Sequence, residues 1–311
     1  MNAIVAILSQ SILCAIPLLL GTTGEILHEK SGSLNLGVEG TMAVGAIGGF
    51  LCATASNSLF VGLLGGFLCG AIMGLIFSVL TVTFKANQNV TGLALTIFGV
   101  GLCTLIGESM KSKNTFPFPS EALKSQIGNG TAGNIMVYLA VVIAICAWVY
   151  LYRSKAGLRT RAAGDHPGAA DSMGVSIDRY RYVNSMVGAG IMGIGGVFMA
   201  FVLNNGAWNE NWISGYGWIS IALVIFANWS PARAIGGSFV FGLLLALQST
   251  ASGLASTFPA VFGWMSKIPV EFYQMLPFLM TAVIIVIGSI RKKRNLHAPM
   301  AVGLNYFRED R

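Results

Sequence analysis

Runs of about twenty apolar residues recur along almost the whole chain, separated by short polar connections, and this pattern constrains the fold more than any other feature. A bilayer core about 30 Å thick takes roughly 20 residues of helix to cross, and helices satisfy their own backbone polar groups inside it. Nine runs fit, at approximately residues 4–24, 36–55, 58–83, 90–107, 134–152, 184–203, 215–229, 234–252 and 271–290. Composition agrees: the 311 residues are 54% hydrophobic and 10% charged, with a mean hydropathy of +0.71, far from ordinary soluble domains. The expected fold is an all-α polytopic membrane protein of about nine transmembrane helices. It divides into a single transmembrane domain over residues 1–290 and a basic cytoplasmic tail over 291–311, with no soluble domain. The second run, rich in glycine and opening on "SGSLNLGVEG", is expected to be discontinuous.

Lysine and arginine mark the cytoplasmic side of such proteins. With an odd number of spans and the C-terminus inside, the inner segments hold Lys30, Lys85, Arg153, Lys155, Arg159, Arg161, Arg179, Arg181, Arg233, Arg291, Lys292, Lys293, Arg294, Arg308 and Arg311. The outer segments hold only Lys111, Lys113, Lys124 and Lys267. The expected topology is therefore N-terminus out and C-terminus in. The net charge of +7 then reflects topology and contact with anionic membrane lipid, and gives no reason to expect nucleic acid as a partner. The opening "MNAIVAILSQSILCAIPLLLG" lacks a cationic n-region and is read as the first span.

Between spans in lipid, small residues let backbones approach. Gly62, Gly66, Gly70 and Gly74 recur every four residues, and Gly188, Gly193 and Gly196 form a similar face; helix packing within the chain is the expectation. All five cysteines fall in predicted spans, where cysteine acts as a small apolar residue. There is no GxxxxGK[ST] phosphate loop and no HExxH motif, so the sequence offers neither ATP binding of the P-loop kind nor a metal site. No catalytic residue is expected. Acidic residues are almost absent from the middle of the predicted spans, which weighs against a carrier driven by protons or sodium.

The longest inner loop, residues 153–183 in the expected topology, holds "RSKAGLRTRAAGDHPGAADSMGVSIDRYRY" at 153–182 and is too polar to insert. Asp165 or His166 can cap a helix there, Pro167 suits its first turn and Gly174 its C-terminal stop. A helix of about two turns should follow, with Ala169, Ala170, Met173 and Ile177 as small and apolar contacts.

These residues carry a resemblance. "GAADSMG" is similar to the core of the coupling loop of ABC importer permeases, without its leading glutamate and later Leu-Pro, and "RAAGDHPGAADSMGVSI" resembles more closely that loop in the branched-chain amino acid, ribose and nucleoside permease family. "GEILHEKSGSLNLGVEG", "NVTGLALTIFGVGL" and "GWISIALVIFANWSPARAIGG" resemble the nucleoside-type branch. The resemblance implies a permease subunit of an ABC importer in a bacterial cytoplasmic membrane. It implies a second, related permease chain in a heterodimer, an extracytoplasmic substrate-binding protein, and an ABC ATPase that binds ATP and Mg²⁺, with no cofactor in this chain. Gly164, Asp165, His166, Pro167, Ala169, Ala170, Met173 and Gly174 would then couple to the ATPase.

Glu39 lies about one turn into the second span. Two roles are open to it: a carboxylate that caps a broken helix, or a group on the solute path. Asn35, Asn87, Asn89, Thr91, Asn184 and Gln248 are further candidates for the path, as neutral groups able to meet hydroxyls and base edges. Trp208, Trp212 and Tyr216 form an aromatic cluster at the outer interface, where such residues are common; docking of a binding protein is the functional alternative. Ribose-like sugars or riboflavin stand as alternative cargoes, and a self-sufficient secondary carrier as an alternative class.

Overall fold

The computed structural model describes residues 2–112, 119–128, 134–207, 209, 213–257, 269–290 and 298–307. They fold into helices α1 (Asn2–Lys30), α2 (Val38–Ser56), α3 (Leu59–Ser78), α4 (Gln88–Ser112), α5 (Glu121–Ile127), α6 (Ile135–Arg153), α7 (Lys155–Asp165), α8 (Pro167–Ser172), α9 (Ile177–Phe198), α10 (Tyr216–Phe226), α11 (Pro231–Thr257) and α12 (Val270–Ile290). No strand occurs among the described residues. Short π-turns, Val79–Thr83 and Met199–Leu203, extend α3 and α9. Among the described residues, six helices are long and apolar enough to cross a bilayer: α1, α2, α3, α4, α6 and α9.

The core is a seam of glycines. A Cβ on Gly45 would lie 2.3 Å from Gly193 Cα, one on Gly193 would lie 2.2 Å from the Gly66 carbonyl oxygen, and one on Gly196 would lie 2.0 Å from that of Met42. Gly70 and Gly74 meet the carbonyls of Ala189 and Ser185 in the same way. The small face expected on α3 thus packs within the chain, against α2 and α9. The dispersion contacts made this way replace the hydrophobic drive that lipid does not provide. α9 is the most enclosed of the long helices, and α6 and α4 the most open to the surroundings.

α2 is uninterrupted from Val38 to Ser56, so the break expected in the second run is not within that helix. Its glycines serve close packing instead: Gly40 abuts the Leu95 carbonyl of α4, and Gly49 abuts Val197 and the Gly62 carbonyl. The irregular backbone lies just before it, in residues 31–37, and side chains satisfy it. Asn35 N–H donates to Glu25 at 3.0 Å, Leu34 N–H to Gln88 at 2.7 Å and Gly37 N–H to Asn35 Oδ1 at 2.8 Å. A buried turn requires such partners.

The short element is α10. The run at 215–229 was expected as one full span, yet α10 holds 11 residues, about 16 Å of rise and half of a bilayer core. It starts beside Glu39 on α2 and runs alongside the last turns of α1, with Thr22 Oγ1 donating to the Ser220 carbonyl at 3.1 Å. A turn at 227–230 reverses the chain into α11, which returns antiparallel along α1, Gly242 abutting the Ser11 carbonyl.

Candidate functional site

One end of the bundle collects the chemistry. Lys30 at the end of α1, Lys85 before α4, α7, α8, the start of α9 and residues 298–307 all meet there. Ser154 caps α7 by accepting from Gly157 N–H at 2.9 Å, an ordinary N-cap. α7 then packs its Gly164 against the Lys30 carbonyl so closely that an added Cβ would lie 2.5 Å from that oxygen. His166 stands at the junction of α7 and α8, Pro167 opens α8, and Gly174, with φ of +80°, ends the turn beyond it. Glycine adopts this left-handed conformation at no steric cost. Val175 N–H closes back on the Ala170 carbonyl at 3.0 Å, completing a C-cap. The expected short helix is therefore present in the expected place. α7 was not foreseen; the loop was read as polar connection, although "SKAGLRTRAAGD" has a serine cap and good helix formers.

Ala170 is buried with Ala163 and Ile177, and Ala169 faces outward. Met173 is 84% exposed, an apolar side chain standing free at the tip of the element. α8 joins α6, through α7, to α9. Tyr150 of α6 bonds Thr160 of α7 and Asn184 of α9, at 3.0 and 3.2 Å, so the three helices share one polar knot.

A second feature is the corner around α10. Glu39 Oε2 accepts from Gly215 N–H at 3.3 Å. The carboxylate thus sits at the amino end of the half-helix, where unpaired N–H groups and the helix dipole favour an anion. Gly217 is pressed against Glu39, a Cβ there falling 2.4 Å from the Glu39 Cβ. The carboxylate therefore caps α10, a different helix from the one expected to be broken, and both roles stay open to it. At the other end of α10, Asn228 and Trp229 have φ of +57° and +53°. A left-handed tryptophan is uncommon; here the buried indole N–H donates to Glu29 of α1.

The other predicted path residues do not share one chamber. Asn35 is buried and folds its own turn. Asn87 caps α4 by accepting from Asn89 and Val90 N–H at 3.0 and 3.2 Å, with Thr91 Oγ1 bonded back to the Asn87 carbonyl. Asn89 is exposed. Asn184 lies apart from these, in the α6–α7–α9 knot. Gln248 belongs to α11, with its side chain outside the described residues, as are Trp208 and Trp212 entirely. Tyr216 opens α10 half-buried, packed against the core. The basic cluster at 291–294 is also outside the described residues.

Sequence reading passed over Glu25, His28, Glu29 and Arg181. All four are almost wholly enclosed: Glu25, His28 and Glu29 because α1 continues to Lys30 instead of ending near residue 24, and Arg181 of α9 because it lies against Gly32 and the Leu304 carbonyl. The spacing was visible: Glu25, His28 and Glu29 stand at i, i+3 and i+4, one face of a helix, in a stretch read as a cytoplasmic turn.

The family described as branched-chain amino acid transport system / permease component matches residues 7–287, and the chain belongs to it. It is a permease subunit of the ABC transporter class, a multi-pass membrane protein. A Haloferax volcanii ABC transporter permease provisionally named for glucose is 32% identical over 99% of both chains. The guanosine ABC transporter permease NupQ of Bacillus subtilis is 30% identical over 98% of this chain and 97% of its own, and the nucleoside permease NupC of Lactococcus lactis 28% over 99% and 98%. No solved structure matches the chain.

Proposed function

We propose that the chain forms half of the translocation pathway of a nucleoside importer in a bacterial cytoplasmic membrane. The basic end faces the cytoplasm and the N-terminus lies outside, with nine passages of the membrane, one of them at the run that contains α10. The observation that carries the mechanism is α8, a capped helix presented beside Lys30 and Lys85 at the end that collects the cations, with Met173 standing free. In this reading residues 164–174 fit a groove on the partner ATPase, which binds ATP and Mg²⁺. Closure of the ATPases pulls α8, and the knot of Tyr150, Thr160 and Asn184 passes the movement to α6 and α9 as a rigid-body shift. Glu39, Asn35, Asn87, Asn89, Thr91, Asn184 and Gln248 remain the candidates for polar contact along the path. The segment holding Trp208, Trp212 and Tyr216 is the candidate surface toward a substrate-binding protein, and a second, related permease completes the pathway.

Relatives named for nucleosides and guanosine, matched over nearly their full length, support the cargo. The relative named for glucose, at 32% identity, supports a sugar as the second reading. Uptake of labelled adenosine and guanosine in a strain deleted for this gene separates the two. Loss of uptake that only nucleosides compete in the parent is expected. Normal nucleoside uptake with a sugar defect would move the cargo and keep the class. For the coupling, Gly174→Arg should abolish uptake while the protein still inserts: the strain of a side chain at φ +80° stays at the end of α8, and nothing stands within 4 Å of a Cβ there. Undiminished uptake by that variant would overturn the assignment of α8.

A further inference from the structure

We infer that residues 298–307 are a second part of the ATPase-docking surface, built onto the coupling helix; this rests on the reading of α8 given above. The segment contains no helix, yet it is fastened at four places on the basic end. Ala301 N–H donates to the Gly164 carbonyl of α7 at 2.9 Å, Arg181 Nη1 of α9 donates to the Leu304 carbonyl at 3.1 Å, and Asn305 Nδ2 donates to the Lys85 and Ala86 carbonyls before α4. Gln88 adds bonds to the Leu304 carbonyl and Asn305 Oδ1, at 3.4 and 3.3 Å. The fourth point is α8 itself: Tyr306 O–H donates to Asp171 Oδ2 at 2.9 Å, and the ring packs beside Ala163, Ala170 and Ile177.

Fixing an irregular segment costs about 1–2 kcal/mol of backbone entropy per residue, so several separate attachments are needed to hold it. What the attachment leaves outward is apolar. Met300 is 71% exposed, Leu304 60% and Phe307 48%, against Met173 at 84%. A cavity of about 420 Å³ lies between the two elements, lined by Lys85, Asp171, Ser176, Asp178, Tyr306 and Phe307. An apolar patch with a polar rim, outside any span, marks a protein contact. Its occupant is the ATPase, because the segment that carries the patch is bonded to α8 and shares a cavity with it. Tyr306 is then a positioning residue: it holds α8 from beneath and touches no nucleotide or cargo.

The test uses the whole transporter, purified through a tag on this chain, with retention of the ATPase measured beside uptake. Met300→Asp with Leu304→Asp should weaken ATPase retention by roughly tenfold or more, as truncation of central interface anchors does, while the permease pair stays assembled. A photo-crosslinking residue placed at 304 should capture the ATPase in the otherwise unaltered protein, which guards against misfolding of the double variant. Tyr306→Phe should retain the ATPase and lower the uptake obtained per ATP hydrolysed. Unchanged retention by the double variant, or capture at 304 of lipid or of a second copy of this chain in place of the ATPase, overturns the inference. Gly174→Arg is the control for the reading beneath it: if that variant loses the ATPase while the double variant keeps it, α8 docks and the tail does not. If Gly174→Arg retains both ATPase and uptake, α8 itself is misassigned.

Discussion

The glycine seam and the α10 corner are two ways of holding helices together in a membrane, and they differ in almost every term. In the seam of α2, α3 and α9, backbone meets backbone and the contact is steric: Gly45, Gly66, Gly70, Gly193 and Gly196 leave no room for a methyl group. At the corner, α10 is held by a few polar bonds over long sequence separations, Glu39 to Gly215, Thr22 to Ser220 and Glu29 to Trp229. Its C-terminal turn sits in a left-handed conformation that its tryptophan disfavours. A close-packed steric seam has one arrangement and moves as a block. Polar bonds at the ends of a half-helix can exchange partners, and local strain of the kind in this turn, on the order of 1–3 kcal/mol, is found where segments switch. The comparison assigns rigidity to the seam and adjustability to the corner.

The largest effect should come from breaking the seam. Gly193→Ala places a methyl group 2.2 Å from the Gly66 carbonyl oxygen, and backbone cannot yield as a flexible side chain would. Overpacking of this kind costs roughly 1–3 kcal/mol or more. Folded yield in detergent, followed by size-exclusion chromatography, should fall steeply. A variant that folds as well as the parent would mean that α9 and α3 are not locked together.

Next in size is Trp229→Phe, which keeps an aromatic ring, smaller than the indole, and removes the N–H that Glu29 accepts. A hydrogen bond contributes about 0.5–1.5 kcal/mol, and the space left by the smaller ring adds to the loss. The thermal midpoint of the purified protein should drop, and a cycle with Glu29→Gln should show the two residues coupled. Additive effects in that cycle would remove the latch from the comparison. Glu39→Gln should do less. The amide oxygen still accepts from Gly215, so the loss is the charge at the start of α10, about 0.3–1 kcal/mol, with uptake lowered and not abolished. Complete loss of uptake at unchanged stability would instead place Glu39 on the solute path.

Much of this was legible in the sequence. Runs of apolar residues gave the membrane class, Pro167 and Gly174 gave the ends of α8, and the four-residue glycine spacing gave the packing face of α3. What escaped depends on tertiary partners. The run at 215–229 reads as a span by hydropathy, whereas its helix stops at Phe226, before a left-handed turn at Asn228 and Trp229 that is latched to Glu29 of α1. Glu25 and Glu29 looked like exposed residues of a turn because a carboxylate is costly in a buried position unless a donor is near, and their donors, Asn35 and Trp229, come from elsewhere in the chain. The role of Tyr306 was hidden for the same reason, since Asp171 lies far from it in sequence.

The smallest effect sharpens the comparison most, because it separates glycine used for packing from glycine that is merely present. Gly99 and Gly101 stand two residues apart on α4. A Cβ on Gly99 would lie 2.4 Å from the Gly40 carbonyl oxygen, whereas nothing stands within 4 Å of one on Gly101. Gly101→Ala should therefore leave folding intact and raise stability by about 0.4–1 kcal/mol, through a lower entropy cost of ordering the helix. Gly99→Ala should destabilise. Thermal midpoints of the two variants, measured side by side, should move in opposite directions. Equal shifts would mean that α4 is held to α2 loosely enough to absorb a methyl group, and the steric seam would then end at α2, α3 and α9 without extending to α4.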